Sequence, residues 1–181
     1  QTCALPISQQ IDHQVEIVLV DNASSVKTIE RAKSVCPDLR LVNLEEFRPG
    51  LAINQGIRHA NGNYLVCLSA HCPPLDNQWL ANLLRNFVDT SVAGVYGRQI
   101  PTHFTNAVDK RDLLLTFGIE RRIQKRESFF HNANSMIRRD VWSKYPFDEN
   151  VTNIEDRLWG QAVIQAGYTL VYEPEASVFH Y

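Results

Sequence analysis

The sequence predicts an α/β fold in which helices cover both faces of a mostly parallel, Rossmann-like sheet. Short apolar runs typical of buried strands alternate with segments of helical period, in the order β-α-β-α-β-α-β up to residue 98. The chain has 181 residues, of which 44% are hydrophobic and 21% are charged. That length suffices for one domain with a sizeable core and is too short for two domains of ordinary size.

The first part of the chain contains alternating strands and helices. The run V-E-I-V-L-V from Val15 is apolar apart from one glutamate, as expected of a strand buried on both faces. One of two adjacent serines can cap the helix that follows, and Pro37 stops that helix. The strand L-R-L-V-N-L comes next, then a helix that Gly62 terminates, and then a strand at Tyr64–Leu68.

The later part of the chain adds a helix, a long excursion and a closing helix-strand pair. After Pro73 and Pro74, apolar residues recur at helical spacing up to Phe87, and the strand V-A-G-V-Y-G-R follows. Residues 99–131 are more polar, with one helix expected around residues 113–117. A mobile lid and a solvated surface helix are both open interpretations of this stretch. The chain closes with an amphipathic helix over residues 155–167 and a strand-like run to the end.

Composition excludes several classes of function. The formal net charge is -2, the pI is near 6.3, and no lysine or arginine cluster is present, so no nucleic-acid partner is expected. The four cysteines form no C-x-x-C pair, which favours a reduced, cytoplasmic compartment over a disulfide framework or a zinc knuckle. No stretch of about 18 apolar residues occurs, so no transmembrane segment is expected in this chain.

The start of the chain has an unusual pattern. Residues 1–14 have no clear periodicity and are predicted to be a non-native or frayed segment, which leaves a single domain over residues 15–181. A doubly wound nucleotide-binding sheet normally opens with its own strand and a ligand-contacting turn, whereas this chain begins just before a run that resembles a second strand. We therefore expect the chain to be a fragment that lacks the first strand and helix.

Two adjacent acids, Glu155 and Asp156, begin the last amphipathic helix. A helix start aims side chains out of the fold toward a cleft, where a carboxylate can act as a general base. The helix dipole would lower both pKa values, whereas two adjacent acids beside a phosphate-bearing ligand would raise at least one of them. The alternative interpretation is that both acids only complement the positive end of the helix.

The segment Ser69-Ala70-His71-Cys72 follows a predicted strand, at the edge where such sheets bind ligands. His71 and Cys72 are candidate metal ligands, and His180 is a third. The spacing of these residues is only a weak metal signal, and a histidine at a strand end is more often simply hydrogen-bonded.

Other polar positions are typical of sites for anionic or hydroxyl-rich ligands. Asp21 ends the first strand, where its carboxylate can meet a ribose or base edge or can form an Asx turn. Arg48, with Gly50 and Asn54, can hold phosphate oxygens at a helix start, although an ordinary loop arginine in a Pro-Gly turn fits equally well. The N-A-N-S run that ends at Ser135 suits sugar hydroxyls or a turn. The dinucleotide, P-loop and zincin motifs are absent, which argues against those three enzyme classes.

Five pieces of the sequence, in order, resemble the family 2 glycosyltransferases with the GT-A fold. They are V-E-I-V-L-V-D-N-A-S-S, R-P-G-L-A-I-N-Q-G-I-R-H-A-N-G-N-Y-L-V-C-L-S-A-H, N-A-N-S-M-I-R-R-D-V-W, E-D-R-L-W-G-Q and G-Y-T-L-V-Y-E-P-E-A-S-V-F-H. The likeness covers residues 15–181.

The resemblance implies an activity and its partners. A sugar would pass, usually with inversion, from a nucleotide-diphosphate donor to an acceptor hydroxyl in polysaccharide or glycan biosynthesis. The implied partners are a nucleotide-sugar donor and a glycan or lipid-linked acceptor, and the implied cofactor is a divalent metal, Mn²⁺ or Mg²⁺. The implied location is cytoplasmic, including the inner face of a membrane.

The resemblance also implies roles for individual residues. Asp156 matches the catalytic base that deprotonates the acceptor hydroxyl, and Glu155 would support or orient it. The implied metal ligands are His71 and His180. The implied donor-binding residues are Asp21, Arg48, Asn54, Ser69, Asn134 and Ser135.

The chain departs from the family at its metal motif, because Ser69-Ala70-His71 replaces the usual D-x-D. The carboxylate charge that would hold Mg²⁺ or Mn²⁺ is missing there, so the metal requirement is in doubt. A metal on His71, His180 and the diphosphate is one option, and neutralisation of the leaving group by cationic side chains and helix amides is the other. Two alternative functions also stay open: a non-catalytic relative that binds a nucleotide-sugar or glycan, and a sugar nucleotidyltransferase.

Overall fold

The computed structural model describes residues 8–180, in which strands and helices alternate. The strands are β1 (Val18–Asp21), β2 (Arg40–Asn43), β3 (Tyr64–Leu68), β4 (Val92–Pro101), β5 (Arg122–Gln124), β6 (Asn134–Arg138) and β7 (Thr169–His180). The helices are α1 (Val26–Val35), α2 (Pro49–His59), α3 (Trp79–Leu84), α4 (Ala107–Thr116), α5 (Arg139–Trp142) and α6 (Glu155–Gln165). A 3-10 turn at Arg85–Val88 extends α3.

The strands form two sheets. β1 and β2 pair in parallel, and the other five lie in the order β3-β6-β4-β7-β5. The predicted α/β fold is confirmed, but the larger sheet is mixed. β4 and β7 run parallel, whereas β6 is antiparallel to β3 and β4, and β5 is antiparallel to β7. The alternation of strands and helices did not reveal this because β5 lies within the long excursion and β6 follows it directly, without a crossover helix between them.

Local capping explains where the helices begin. The Ser25 hydroxyl accepts a hydrogen bond from the Thr28 backbone N–H at 3.3 Å, which confirms the predicted serine cap of α1. The helix expected around residues 113–117 is α4, and it begins earlier because the Asn106 side chain accepts from the N–H groups of Val108 and Asp109, both at 3.0 Å. Three elements, α5, β5 and β6, were not predicted.

The core lies on both faces of the five-stranded sheet. Successive side chains of a strand point to opposite faces, so Met136 packs into the cluster beneath α3 while Ile137 packs into the cluster beneath α2 and α6. The α3 side contains Trp79 and Leu83, and the other side contains Trp159. Both faces of the sheet are therefore closed by helices, as predicted.

Strand direction determines which residues share the functional edge. Because β6 is antiparallel to both of its neighbours, β3 and β4 run in the same direction, and β7 follows β4. The carboxyl ends of β3, β4 and β7 and the start of β6 therefore meet at one edge. His71, His180 and the residues just before Asn134 are brought to this edge from three separate parts of the chain.

Part of the segment predicted to be non-native or frayed, residues 1–7, lies outside the described residues. The backbone N–H of Gln10 donates to the Asn77 carbonyl at 2.9 Å, and Ile11 packs against the core cluster on the α3 side. The boundary of the domain at residue 15 stays a prediction. Over residues 8–180, no helix combines the length and the apolar character needed to cross a bilayer.

Close packing around Gly97 in β4 predicts a stability effect. A methyl group there would overlap the Ala176 carbonyl and the side-chain amide of Asn134, whereas one at Gly118 would meet nothing. We expect Gly97→Ala to lower the free energy of unfolding by about 1–3 kcal/mol, the usual cost of overpacking. Urea titration should show this loss, with Gly118→Ala within about 0.5 kcal/mol of the parent. Equal midpoints for the two variants would contradict the packing described.

Candidate active site

Two histidines meet at the carboxyl edge of the large sheet. The Nε2 atoms of His71, after β3, and His180, at the end of β7, lie 3.2 Å apart, and the rings pack edge to face at 4.8 Å between centroids. Cys72 adds its Sγ, and one ligand atom from each of the three residues lies within 4.8 Å of the others. The structure thus brings together the two histidines predicted as metal ligands.

The donor atoms of this group fit a transition metal better than Mg²⁺. Two imidazoles and a thiol are ligands typical of Zn²⁺ and its neighbours in the first row, whereas Mg²⁺ requires oxygen ligands in near-octahedral geometry. His71 is exposed and His180 is half-buried, so an ion could approach from solvent. Burial raises the pKa of the Cys72 thiol to about 12, which makes the two histidines the more available ligands.

Asp156 lies in the first turn of α6, as predicted, and is half-buried. Its Oδ2 accepts a hydrogen bond from the Asn132 backbone N–H at 3.3 Å, and its Oδ1 accepts from the Arg157 N–H at 2.7 Å. The next carbonyl, that of Ala133, accepts from the Ser69 N–H at 3.1 Å. Residues 131–133 therefore join the helix that carries the acid to the segment that carries His71.

Glu155 is buried beneath this surface. Its Oε1 accepts from the Asn132 side-chain amide at 3.4 Å, and only 8% of the residue is exposed. Burial raises the pKa of Glu155, and the negative charge of Asp156 raises it further. Asn132 thus contacts both acids, one through its backbone and one through its side chain, and its Oδ1 in turn accepts from the Ser135 hydroxyl at 3.2 Å.

Unusual backbone conformations lie beside two of the predicted site residues. Ile154, just before the acid pair, has φ 61°, and Ala23, two residues after Asp21, has φ 60°. A left-handed conformation is costly for any residue with a Cβ atom and most costly for a β-branched one. Such strain persists only where surrounding structure enforces it, and it is concentrated at functional sites. At Ile154 it sets the direction in which α6 begins.

Several predicted donor-binding residues already form hydrogen bonds to other groups of the protein. Asp21 is largely buried and accepts from the Ser24 N–H at 3.1 and 3.3 Å, the turn that was its alternative interpretation. Asn54 is 1% exposed, and its amide donates to the Phe147 carbonyl at 2.8 Å and to Glu149 at 2.9 Å. A donor contact by Asn54 would have to displace one of these bonds.

The other predicted donor-binding residues differ in exposure. Asn134 and Ser135 are fully buried in β6, and Asn134 accepts from Trp79 Nε1 at 2.8 Å and donates to the Ala176 carbonyl at 2.8 Å. Ser69 is half-buried at the histidine edge. Arg48 pairs with Glu46 at 2.9 Å beside the start of α2.

Sequence reasoning missed His131 and Asn132. His131 lies in the electrostatic field of Asp156, His71 and His180, and its Nδ1 is 3.0 Å from Gln99 Nε2. Burial lowers the pKa of His131 despite the nearby carboxylate, which keeps its imidazole neutral at pH 7. The available signal was their position immediately before the N-A-N-S strand, at the ligand-binding edge.

A cavity of about 510 Å³ opens at the opposite edge of the sheet. Its lining includes Tyr64 at the start of β3 and Arg138 at the end of β6. None of the residues predicted to bind donor, acceptor or metal lines it.

Comparison with known proteins identifies relatives of this chain. Residues 6–145 match the sequence model of a family described as Glycosyl transferase family 2. The chain is 26% identical over 183 residues to the O-antigen chain rhamnosyltransferase WbaN of Salmonella anatum, covering 95% of this chain and 58% of that protein. It is 23% identical to the O-antigen chain rhamnosyltransferase RfbN of Salmonella typhimurium, covering 96% and 59%. The chain thus spans somewhat more than half the length of these relatives.

Solved structures share its fold. The mannosyltransferase PcManGT from Pyrobaculum calidifontis, in complex with GDP-Man and Mn²⁺, superposes with a TM-score of 0.73 at 22% identity, covering 99% of this chain and 51% of that one. GalNAc-T7 with UDP, GalNAc and Mn²⁺ gives a TM-score of 0.70 at 19% identity, covering 91% and 37%. The α/β fold therefore matches that of GT-A glycosyltransferases.

Because Glu155 is buried, we expect its replacement to stabilise the protein by an amount that depends on pH. Because the pKa of Glu155 is raised, the folded state binds its proton more tightly than the unfolded state, so stability is lost as pH rises from the unfolded pKa to the raised folded one. We expect Glu155→Gln to raise the free energy of unfolding at pH 7 by about 1 kcal/mol. The gain in melting temperature should be about 2–4 °C and should disappear near pH 4.

Glu149→Gln is the matched control, because Asn54 and Arg58 lower the pKa of Glu149. Its ionised form is the one that the fold favours, so its contribution to stability is present above the unfolded pKa and lost as pH falls through the lower folded pKa. This substitution should lower the melting temperature at pH 7. A Glu155→Gln variant that melts lower than the parent at pH 7 would show that the ionised carboxylate is needed for folding.

Proposed function

We propose that this chain, which belongs to glycosyl transferase family 2, transfers a sugar with inversion from a nucleotide-diphosphate donor to an acceptor hydroxyl. The observation that carries the proposal is the placement of Asp156, which residues 131–133 connect to the edge that holds His71 and His180. The two O-antigen chain rhamnosyltransferase relatives support a role in polysaccharide biosynthesis. The family match also favours sugar transfer over the nucleotidyltransferase alternative.

In the proposed reaction Asp156 is the general base. The N–H groups of Asn132 and Arg157 fix the direction of its carboxylate, leaving lone pairs to accept the proton of an acceptor hydroxyl within about 3 Å. As that proton moves to Asp156, the hydroxyl oxygen forms a bond to the anomeric carbon. The bond from that carbon to the donor diphosphate breaks on the opposite face, and the diphosphate leaves with the electron pair.

Glu155 and Asn132 position the base rather than touch the substrate. Glu155 is buried and bonds to the side chain of Asn132, whose backbone holds Asp156. The Ser135 hydroxyl holds the other end of the same amide. Both predicted residues, Glu155 and Ser135, therefore act on Asp156 through Asn132.

The departing diphosphate requires a positive partner. His71 and His180, with Cys72 beside them, would hold a divalent transition metal, and a bound ion would offset the charge that develops on the leaving group. The lack of carboxylate ligands in this group favours an ion that accepts nitrogen ligands over Mg²⁺. The solved neighbours PcManGT and GalNAc-T7, whose complexes contain Mn²⁺, support metal use.

We assign direct donor contacts to Arg48 and Ser69, which are half-buried, and to Asp21, which is 9% exposed at the end of β1. Asn54 and Asn134 are buried and hydrogen-bonded at both ends of their amides, so we assign them a structural role behind the donor site. We also propose a cytoplasmic location. The free cysteines, Cys36, Cys67 and Cys72, support it because such thiols persist in reducing compartments.

A non-catalytic sugar-nucleotide binder is the second candidate. The observation that favours it is the donor set of the metal group, which lacks a carboxylate among residues 8–180. A relative that has lost its metal affinity could retain the donor cleft without turnover. Separate measurements of binding and transfer distinguish the two functions.

Replacing the base tests the transferase proposal. In the complete gene product we expect Asp156→Asn to lower the rate of sugar transfer about 10²–10⁴-fold, because the amide cannot take the proton. The dissociation constant for the donor, measured by calorimetry, should change less than about threefold, since the base contacts the acceptor. Asp38→Asn, on an exposed loop, is the control. Transfer retained in Asp156→Asn would contradict the assignment, and donor binding without turnover in the parent would identify a binding protein.

Metal titration tests the histidine group. By calorimetry we expect Zn²⁺ or Mn²⁺ to bind more tightly than Mg²⁺, and we expect His71→Ala and His180→Ala each to weaken the transition-metal affinity at least about tenfold, since each removes one of few ligands. His13→Ala, an exposed histidine elsewhere, should leave the affinity unchanged. A parent protein that binds no transition metal, or whose affinity survives both substitutions, would exclude this group as the metal site.

A further inference from the structure

His131 is held in one orientation by contacts on two sides of its ring. The imidazole packs edge to face against Phe117, with ring centroids 5.7 Å apart, and its Nδ1 faces the buried side chain of Gln99. Gln99 pairs with Val178 across β4 and β7, close to the end of the strand that carries His180. The ring of His131 therefore belongs to the same edge of the sheet as the candidate active site.

Hydrogen bonds determine which nitrogen of His131 carries the proton. The side-chain amide of Gln99 donates from Nε2 to His131 Nδ1 at 3.0 Å, and the Ala133 backbone N–H donates to the same nitrogen at 3.3 Å. A backbone N–H can only donate, so Nδ1 must offer its lone pair and cannot hold a proton. The imidazole is therefore neutral and carries its proton on Nε2.

The Nε2–H of His131 is a donor without a partner in the described part of the chain. Among residues 8–180, no side chain or carbonyl accepts a hydrogen bond from it. The one side-chain nitrogen of these residues that is both fully buried and without a partner is Nη2 of Arg139, so His131 Nε2 is open to solvent. A half-buried donor with a fixed direction and no protein acceptor is suited to a ligand oxygen.

The position of His131 places this donor between the two halves of the candidate site. The backbone of the next residue, Asn132, holds Asp156, and the imidazole lies within electrostatic range of Asp156, His71 and His180. In the proposed displacement the transferred sugar lies between the acceptor hydroxyl at Asp156 and the diphosphate at the two histidines. A donor that is near both groups therefore faces the transferred sugar.

The protonation state of His131 narrows the kind of oxygen that it can bind. A phosphate oxygen is matched best by a cationic donor, whereas a neutral N–H suits a neutral hydroxyl. The same tautomer prevents His131 from acting as the general base, because Nε2 already holds a proton and the Nδ1 lone pair accepts two hydrogen bonds. A neutral ring also forms no ion pair with Asp156, which would make that carboxylate a weaker base.

We propose that His131 is a substrate-binding residue whose Nε2–H donates to a hydroxyl oxygen of the transferred sugar and so helps to select that sugar. Gln99 and the Ala133 N–H hold the ring in the required form. The identity of the ligand rests on the proposed function, whereas the tautomer follows from hydrogen bonds within the protein. A site that donates to a hydroxyl discriminates against a sugar that lacks this hydroxyl.

Calorimetry on the complete gene product tests this role. GDP-mannose, UDP-GalNAc and dTDP-rhamnose are each titrated beside the matching nucleoside diphosphate, and the donor that binds most tightly is used. We expect His131→Phe and His131→Ala to weaken the affinity for that donor at least about fivefold, and for its nucleoside diphosphate less than about twofold, because only the sugar loses a hydrogen bond. His131→Gln, whose amide can also donate, should recover part of the loss. His13→Phe, at an exposed histidine elsewhere, should match the parent.

The tautomer is tested separately and without a ligand. In nitrogen NMR spectra of the histidine side chains, the signals that His131→Phe removes should show a protonated Nε2 and an unprotonated Nδ1 at pH 7. A protonated Nδ1 would overturn the inference and leave the assignment of Asp156 intact. Equal losses of affinity for the donor and for its nucleoside diphosphate, or no loss for either, would do the same. A parent protein that binds no nucleotide-sugar would contradict the proposed function, and the inference with it.

Discussion

The arrangement of the candidate active site depends on the backbone of residues 131–133. The Asn132 N–H holds Asp156, the Asn132 side chain holds Glu155, and the Ala133 carbonyl holds the Ser69 N–H. These three bonds connect the start of α6 to the end of β3. The same segment leads directly into β6, which pairs with β3, the strand that precedes His71.

The site is maintained at a cost in local stability. The Glu155 carboxyl group is buried beside a second acid, and the β-branched Ile154 adopts φ 61°. Both features are unfavourable alone. The sheet beneath is closed on both faces by aromatic and aliphatic clusters, so the scaffold can hold these features in place. A rigid sheet with buried polar groups and a strained backbone residue at one edge is typical of a protein that binds or transforms a ligand there.

Local sequence signals predicted the elements and part of the site. Apolar runs, proline stops and the serine cap located β1 to β4 and α1 to α3, since each is determined within a few residues. Strand ends and a helix start likewise pointed to His71, His180 and Asp156, whose roles stay predictions. The mixed pairing of the large sheet was not predictable in this way, because β6 is placed by contacts across the whole domain rather than by its own sequence.

The sequence also did not predict the roles of residues that bond to partners far away along the chain. Asn132 contacts an acid 24 positions away, and Asn54 bonds to a segment 93 positions away. The run N-A-N-S suggested ligand contacts for Asn134. In the structure the Asn134 side chain instead accepts a hydrogen bond from Trp79 and donates to the carbonyls of Arg98 and Ala176. In each case the sequence shows a polar side chain, and only the fold decides whether that side chain meets a ligand or the protein.

The most direct test of the account is a crystal structure of the complete gene product with a nucleoside diphosphate and an acceptor analogue. We expect the acceptor hydroxyl within about 3 Å of an Asp156 carboxylate oxygen, the reach of a general base. The diphosphate should lie beside His71 and His180. A diphosphate bound at the cavity on the opposite edge of the sheet, or an Asp156 carboxylate that faces no substrate atom, would contradict the proposed mechanism.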